Sequence, residues 1–322
     1  FNSNLRGVEV VTLTLSYKVV GSSFVQETSI RPPSIEGGAI EAASAMSFAE
    51  KDKGQPSAAP EGFSIARYMD IIRQKSILSE YEFLDVRDAT KEIILRRGAW
   101  KLSRNLVIPQ GYKLIASPGV RIDLSEGATI LAYSPLSFIG TEDDPIIIQS
   151  SGGDGGGLAV LNADDWSDLR HVVFKGLSAP ASDGWELTGS VTFYESNVRV
   201  ASSKFLGSKS EDSFHVVRSK VSIADTYFEN SHSDAFDGDF VDAQISNTTF
   251  RNSGNDAVDI SGSSLTINNV QIDSAGDKGM SAGEESSVII DGITINSVKI
   301  GIASKDKSNV IAQTVTIEDS EI

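Results

Sequence analysis

Beyond about Asp85 the chain alternates short apolar runs with Gly, Asn, Asp and Ser, and no long helical period is visible. The apolar positions recur at a fixed interval. Phe205, Phe228, Phe250, Ile272, Ile295 and Ile317 are separated, by subtraction, by 23, 22, 22, 23 and 22 residues. Phe214, Phe236, Val258, Met280 and Ile302 form a second register with a constant step of 22. Asp225, Asn247 and Asn269 form a third, again 22 apart. Like chemistry at like positions is how a solenoid is written in sequence. A period near 22 with three short strands per turn predicts an all-β fold, a single-stranded right-handed parallel β-helix. Its coils stack at the strand spacing of about 4.8 Å. The apolar columns then fill the interior. The Asp225, Asn247, Asn269 column predicts an internal polar ladder at a bend, its side chains satisfying turn backbone groups. A leucine-rich repeat needs Leu-x-x-Leu-x-Leu, which is absent, and a β-propeller needs a period near 40 residues.

Upstream the pattern differs. Within residues 1–33, Val8 to Phe24 alternates and is β-branched, which predicts strands belonging to a preceding domain. Residues 34–62 are rich in Pro, Gly, Ala, Ser and Glu without a period, and read as a linker or mobile loop. Within 63–99, Ile65, Tyr68, Met69 and Ile72 fall at helical spacing after Ser64, an N-cap residue. This predicts a Ser64 to Ser79 helix that seals the first coil, so 63–99 forms a helical cap and the entry to the solenoid, and 100–322 the right-handed parallel β-helix. No cap follows the last coil in sequence, which points to a partner chain there or to a longer polypeptide with neighbouring domains.

Composition narrows the function. The 322 residues are 40% hydrophobic, 22% charged and 7% aromatic, an ordinary globular balance. Lys and Arg number 28 against 44 acids, a net charge of −16, so a nucleic-acid partner is not expected. Without cysteine there is no disulfide, thiol catalyst or thiolate-bound zinc. No apolar run reaches the roughly 18 residues of a membrane span.

The candidate chemistry lies on one side of the coils. With Phe214, Phe236, Val258, Met280 and Ile302 pointing inward, the residues on either side of each point outward. The following column is His215, Asp237, Asp259, Ser281 and Ala303; two residues later comes Val217, Asp239, Ser261, Gly283 and Lys305. Asp212, Asp234, Asp256 and Lys278 fall in the turn before each strand. Arg218, Asn255 and Glu284 lie around them. Asp237 and Asp259 on adjacent coils sit about 4.8 Å apart, too close for both to ionise without a cation, a proton or a donor. Asp237, Asp239 and Asp259 are therefore the predicted metal ligands, and Ca²⁺, which prefers carboxylate oxygen, is the predicted cofactor. Asp237, Asp259, Lys278 and His215 are the predicted catalytic groups. Arg218, Asp234, Asp239, Asn255, Asp256, Ser261, Glu284 and Lys305 are the predicted substrate contacts. A shallow groove lined by acids, amides and hydroxyls matches the repeating hydroxyls of a glycan.

Leu106-Val107-Ile108-Pro109-Gln110-Gly111-Tyr112-Lys113-Leu114 resembles the opening coils of many secreted parallel β-helices. Ser117-Pro118-Gly119-Val120-Arg121-Ile122 and Gly140-Thr141-Glu142-Asp143-Asp144-Pro145-Ile146-Ile147-Ile148 share that likeness. The resemblance, over Trp100 to Ile322, is to the pectate-lyase-like superfamily. That family includes lyases, hydrolases, epimerases, esterases, adhesins and inactive binders, so the resemblance implies fold more than activity. Polygalacturonase-type members place Asn-x-Asp, Asp-Asp, Gly-His-Gly and Arg-x-Lys on successive coils. Here those places hold Ser233-Asp234, Asn255-Asp256, Asp277-Lys278-Gly279 and Ala303-Ser304-Lys305, so the first acid of the pair, the histidine and the arginine are all replaced. A lyase reading uses these residues better: Ca²⁺ on Asp237 and Asp259, or Arg218, neutralises a uronate, and Lys278 or His215 acts as base. The resemblance implies a place outside the cytoplasm, whether extracellular, cell-surface or periplasmic. The expectation is an exported β-helix that binds and cleaves a polysaccharide by lyase or hydrolase chemistry. The alternative is a non-catalytic glycan- or Ca²⁺-binding module of a larger exported protein.

Overall fold

A computed structural model describes residues 78–182 and 185–321. The chain is a parallel β-solenoid of about ten turns. One face is a nine-stranded sheet that begins with Leu106–Ile108 and ends with Ile300–Ser304. The other two faces share an 18-stranded sheet, because Ser264–Ala275, Ser287–Val298 and Asn309–Ser320 each run through the corner between them. The expected strands of residues 1–33, the 34–62 linker and the Ser64 helix through residue 77 lie outside the described residues. Within the expected cap, Leu78–Glu80 is a single 3₁₀ turn, and Leu84–Arg87 pairs antiparallel with Glu92–Leu95. Glu92–Leu95 already pairs in parallel with Lys113–Ala116, so coiling starts before residue 100.

The registers read in sequence are the registers of the fold. Phe205, Phe228, Phe250, Ile272, Ile295 and Ile317 are successive ladder partners. So are Phe214, Phe236, Val258, Met280 and Ile302. The first column continues upward through Phe174 and Ile148, the second through Val191 and Leu158. Their side chains form the core, and Phe205, Phe228 and Phe250 stack with centroid spacings of 4.6 and 4.7 Å. Such offset aromatic stacks add about 0.5–1.5 kcal/mol per pair to the burial term. Ile317 keeps the register but is 42% exposed, whereas Ile295 and Ile272 are fully covered.

Corners are made by residues in the left-handed region. One corner holds His171, Ser202, Asp225, Asn247, Asn269 and Thr314 at φ between 47° and 55°. Asn and Asp tolerate this region better than other side chains, which is why they repeat there. The left-handed turn also directs the side chain away from the core. Asp225, Asn247 and Asn269 are exposed, and Asn269 donates to the Asn247 amide oxygen at 2.8 Å on the outside. The expected internal polar ladder is thus an external one. The internal ladder is built from serine: Ser196 N donates to Ser219 Oγ at 2.7 Å, Ser263 N to Ser286 Oγ at 3.0 Å, and Ser286 N to Ser308 Oγ at 3.0 Å. A short hydroxyl fits within the corner and bonds the next coil's backbone, and beside it the Asn197 amide oxygen accepts from Lys220 N at 2.8 Å.

Candidate functional site

The nine-stranded sheet carries the candidate chemistry. Its strands Asp212–Val217, Asp234–Asp239, Val258–Ser261 and Lys278–Gly283 are consecutive neighbours. Outward alternation past each inward residue brings His215, Asp237 and Asp259 to the surface, whereas Ser281 in the same column is fully buried. His215, Asp237, Asp259 and Ser281 are ladder partners and stack in one column, and Val217, Asp239, Ser261 and Gly283 form the next. Alternation does not hold for the residue before. Ser213, Ala235 and Ala257 are buried, because the strands start at a corner where small side chains pack beneath the adjoining face. Ser213 bonds across that corner to Ser231 at 2.7 Å.

The column expected in the turn is buried as well. Asp212 and Asp234 open their strands, and relative exposure is 2% for Asp212, 9% for Asp234 and 1% for Asp256. Two of these carboxylates form a ladder. Asp234 accepts from Asp256 N at 2.8 Å and from the Asn255 amide at 2.8 Å. Asp256 in turn accepts from Lys278 N at 2.9 Å. Asp212 is the exception: Asp234 N donates to Glu211 O instead, and Asp212 Oδ2 has no hydrogen-bond partner.

His215 sits among acids. Its Nδ1 lies 2.8 Å from Thr188 Oγ1 and 3.7 Å from Asp212 Oδ2. Its Nε2 lies 3.1 Å from Asp239 Oδ2 and 3.6 Å from Asp237 Oδ2. The ring is mostly covered, while Asp237 and Asp239 reach solvent. Gly189, the ladder partner of Asp212 on the preceding coil, leaves room for this ring: a Cβ there falls 2.5 Å from His215 Cβ.

Burial dominates the electrostatics. It pushes the Asp212 carboxyl up to about 7, reinforced by Asp237 and opposed by His215 and Thr188. It raises Asp256 to about 6 against the opposing pull of Lys278. It raises Asp234, and it carries Asp237 well above the ordinary carboxylate range with Asp239 and Asp259 adding repulsion. Desolvation pulls the Lys278 ammonium down, but Asp277 and Asp256 outweigh it and leave the pKa raised. Lys278 touches Asp277 and lies 3.4 Å from Asp256. It is a held cation here, and the lowered pKa that a lysine base requires is not its condition.

The predicted residues divide into two groups. His215, Asp234, Asp237, Asp239, Asn255, Asp256, Asp259 and Lys278 form one continuous patch, and Ser261 follows Asp239 one coil on. Arg218 lies at the corner that ends its strand, bonded to Tyr194 Oη at 2.9 Å with its guanidinium 5.8 Å from the Phe240 ring. Glu284 occupies the same left-handed corner column, at φ 56°. Lys305, one residue before the equivalent corner position Asp306, donates its backbone N–H to Ala282 O. Thr188 and Phe240 went unread. Thr188 belongs to the irregular connection before Gly189, where no repeat marks its place. Phe240 is an aromatic 53% exposed at φ 55°, and only its position before a strand break hinted at that role.

Among the described residues, no helix is long and apolar enough to cross a membrane. No protein-family model matches the chain, and no curated protein matches it. Among solved structures, an alginate lyase from Paenibacillus sp. str. FPU-7 is similar over 67% of this chain and 100% of that one, at 12% identity and a TM-score of 0.22. A likeness of that size adds nothing to what the ladders already establish about the fold.

Proposed function

We propose that this chain binds a polysaccharide along the outer face of its nine-stranded sheet and cleaves it by acid–base chemistry centred on His215 and Asp237. The observation that carries this reading is the insertion of one imidazole among Asp212, Asp237 and Asp239 on adjacent coils. Groups whose environments drive their protonation apart are what acid–base catalysis uses. Asp237, raised by burial and like charge, retains a proton and acts as the acid at the leaving oxygen. His215, its ring held at Nδ1 by Thr188, acts as the base. In elimination His215 takes the proton beside the uronate carboxyl, the C–O bond breaks, and Asp237 gives its proton to the departing oxygen. In hydrolysis the base takes the proton of a water instead.

The face also bears on substrate. Asp234, Asp239, Asp256, Asp259 and Glu211 outnumber its cations, so an uncharged or amino-sugar chain is favoured over a bare polyuronate. Asn255, Ser261, Arg218, Glu284 and Lys305 extend the row of polar contacts along and around the corner. A glycan substrate fits a place outside the cytoplasm, at the cell surface or in the periplasm. The test is incubation with neutral, amino-sugar and uronic-acid polysaccharides, following reducing ends and the ultraviolet absorbance of unsaturated uronates together. Reducing ends alone indicate hydrolysis, and both signals indicate elimination. Binding without either signal, unchanged in His215→Gln, leaves a non-catalytic glycan module and ends the catalytic reading.

A further inference from the structure

We propose that Asp212, His215 and Asp237 form a binding site for a divalent cation of the zinc or manganese class, closed on its solvent side by Asp239. One oxygen from each of the two carboxylates and one ring nitrogen of His215 lie within 4.8 Å of one another. His215 Nδ1 lies 3.7 Å from Asp212 Oδ2, and Nε2 lies 3.6 Å from Asp237 Oδ2 and 3.1 Å from Asp239 Oδ2. Ligands of a tetrahedral zinc ion at 2.0–2.1 Å stand about 3.3 Å apart, and an ion takes one ring nitrogen only, so an ion on Nε2, with Nδ1 left to Thr188, draws the Asp212 carboxylate in from the Nδ1 side by side-chain rotation.

A cluster of acids alone implies no ion. The second observation is Asp212 Oδ2. Its side chain is 3% exposed, it lies on the His215 side of the cluster, and it has no hydrogen-bond partner. The equivalent carboxylates of the next two coils, Asp234 and Asp256, are both satisfied by backbone N–H groups. A buried carboxylate oxygen without a donor destabilises the fold unless something fills its place. A cation fills it. Thr188 supplies the outer-shell contact at the ring that metal-binding histidines ordinarily have. Gly189 leaves the space that the His215 Cβ occupies, since a Cβ there would fall 2.5 Å from it.

The donor set selects the ion. Ca²⁺ takes oxygen ligands, and the set Asp237, Asp239, Asp259 read from sequence is an oxygen-only arrangement. The structure puts an imidazole nitrogen at the centre of the cluster, and nitrogen favours Zn²⁺ over Ca²⁺, with Mn²⁺ the weaker of the two transition ions. A bound ion occupies the nitrogen and the carboxylate that the polysaccharide reading uses as base and acid, so this inference does not rest on that reading, and catalysis by that pair requires the ion-free chain.

The test uses the full chain, stripped with chelator and titrated calorimetrically with Zn²⁺, Mn²⁺ and Ca²⁺ in separate experiments. One equivalent of Zn²⁺ or Mn²⁺ is expected to bind and raise the melting temperature, with Ca²⁺ at least about tenfold weaker. His215→Gln and Asp212→Asn are each expected to weaken binding by about tenfold or more, and Asp259→Asn by less than about threefold. Co²⁺ is the optical probe, and intense visible bands of a four- or five-coordinate site are expected. If Asp212→Asn does not fold, Asp239→Asn at the solvent edge takes its place and is expected to weaken binding severalfold. Failure of all three ions to bind overturns the proposal. So does Zn²⁺ binding that survives both variants, or the weak spectrum of six-coordinate Co²⁺. Ca²⁺ binding as tightly as Zn²⁺ and lost in Asp259→Asn overturns it in favour of the oxygen-only site.

Discussion

Asp234 and Asp212 occupy equivalent ladder positions, yet substitution should affect them differently. Asp234 Oδ1 accepts from Asp256 N and from Asn255, and an amide oxygen can accept both. Asp234→Asn therefore keeps the bonds and removes a buried charge, and its melting temperature at pH 8 should equal or exceed that of the parent. Asp234→Ala leaves the Asp256 N–H without a partner and should cost about 1–3 kcal/mol in denaturant unfolding. The pH dependence follows from the same burial. Asp212 and Asp256 rise from 3.8 to about 7 and about 6 on folding. A carboxyl whose pKa is higher in the folded state takes up a proton on folding, so it favours the fold most at low pH and loses that advantage as pH climbs through its folded pKa. The melting temperature of the metal-free chain should accordingly fall between pH 5 and pH 8, and Asp212→Asn should flatten the upper part of that slope. A melting temperature that rises steadily over this range in the metal-free chain would mean that these two carboxyls are not buried as described.

At the scale of the coil, stability is carried by contacts between neighbours. Phe228 stacks on Phe205 above and Phe250 below, so Phe228→Ala opens a cavity shared by three coils. The expected cost is about 3–5 kcal/mol. In a solenoid that loss is local, since each repeat touches only the next. Hydrogen exchange should quicken in Tyr227–Ser231 and its two ladder neighbours, while Lys113–Ala116 keeps its protection. Equal acceleration throughout would show a single cooperative unit. Gly189→Ala acts between elements, because the new methyl meets His215 Cβ at 2.5 Å. Overpacking of this kind should cost about 1–3 kcal/mol and displace the imidazole. These columns were legible in sequence because from Phe205 onward the repeat seldom departs from 22 residues, and Phe, Ile and Met hold the inward positions. The outward set His215, Asp237, Asp259 followed from strict alternation past the inward residue. Corners were less legible. Alternation fails at Ser213, Ala235 and Ala257, where the sheet folds over on itself, and a polar column of Asn with one Asp looks the same in sequence whether it faces in or out. Thr188 and the unsatisfied Asp212 oxygen depend on an irregular connection that carries no period.

The whole molecule carries a net charge of −16, and the proposed glycan face is among its most acidic regions. This field separates the possible polymers by their response to salt. The screening length is about 30 Å at 0.01 M ionic strength and about 10 Å at 0.1 M. A polyuronate approaching Asp234, Asp239 and Asp259 meets repulsion from several coils together when the screening length is long, so its binding should strengthen as monovalent salt is added. A neutral glycan has no such term, and its affinity should change by less than about twofold over the same range. An amino-sugar chain carries the opposite sign and should weaken with salt. A divalent ion held at Asp212, His215 and Asp237 cancels part of the local field, so loading the site should narrow the difference between polyuronate and neutral chains. It should leave the neutral chain's own affinity nearly fixed. Binding curves at three ionic strengths, each with and without Zn²⁺, therefore read the charge of the substrate and the occupancy of the site in one set of measurements. If all three polymers respond to salt alike, the acids of the nine-stranded sheet do not line the binding surface.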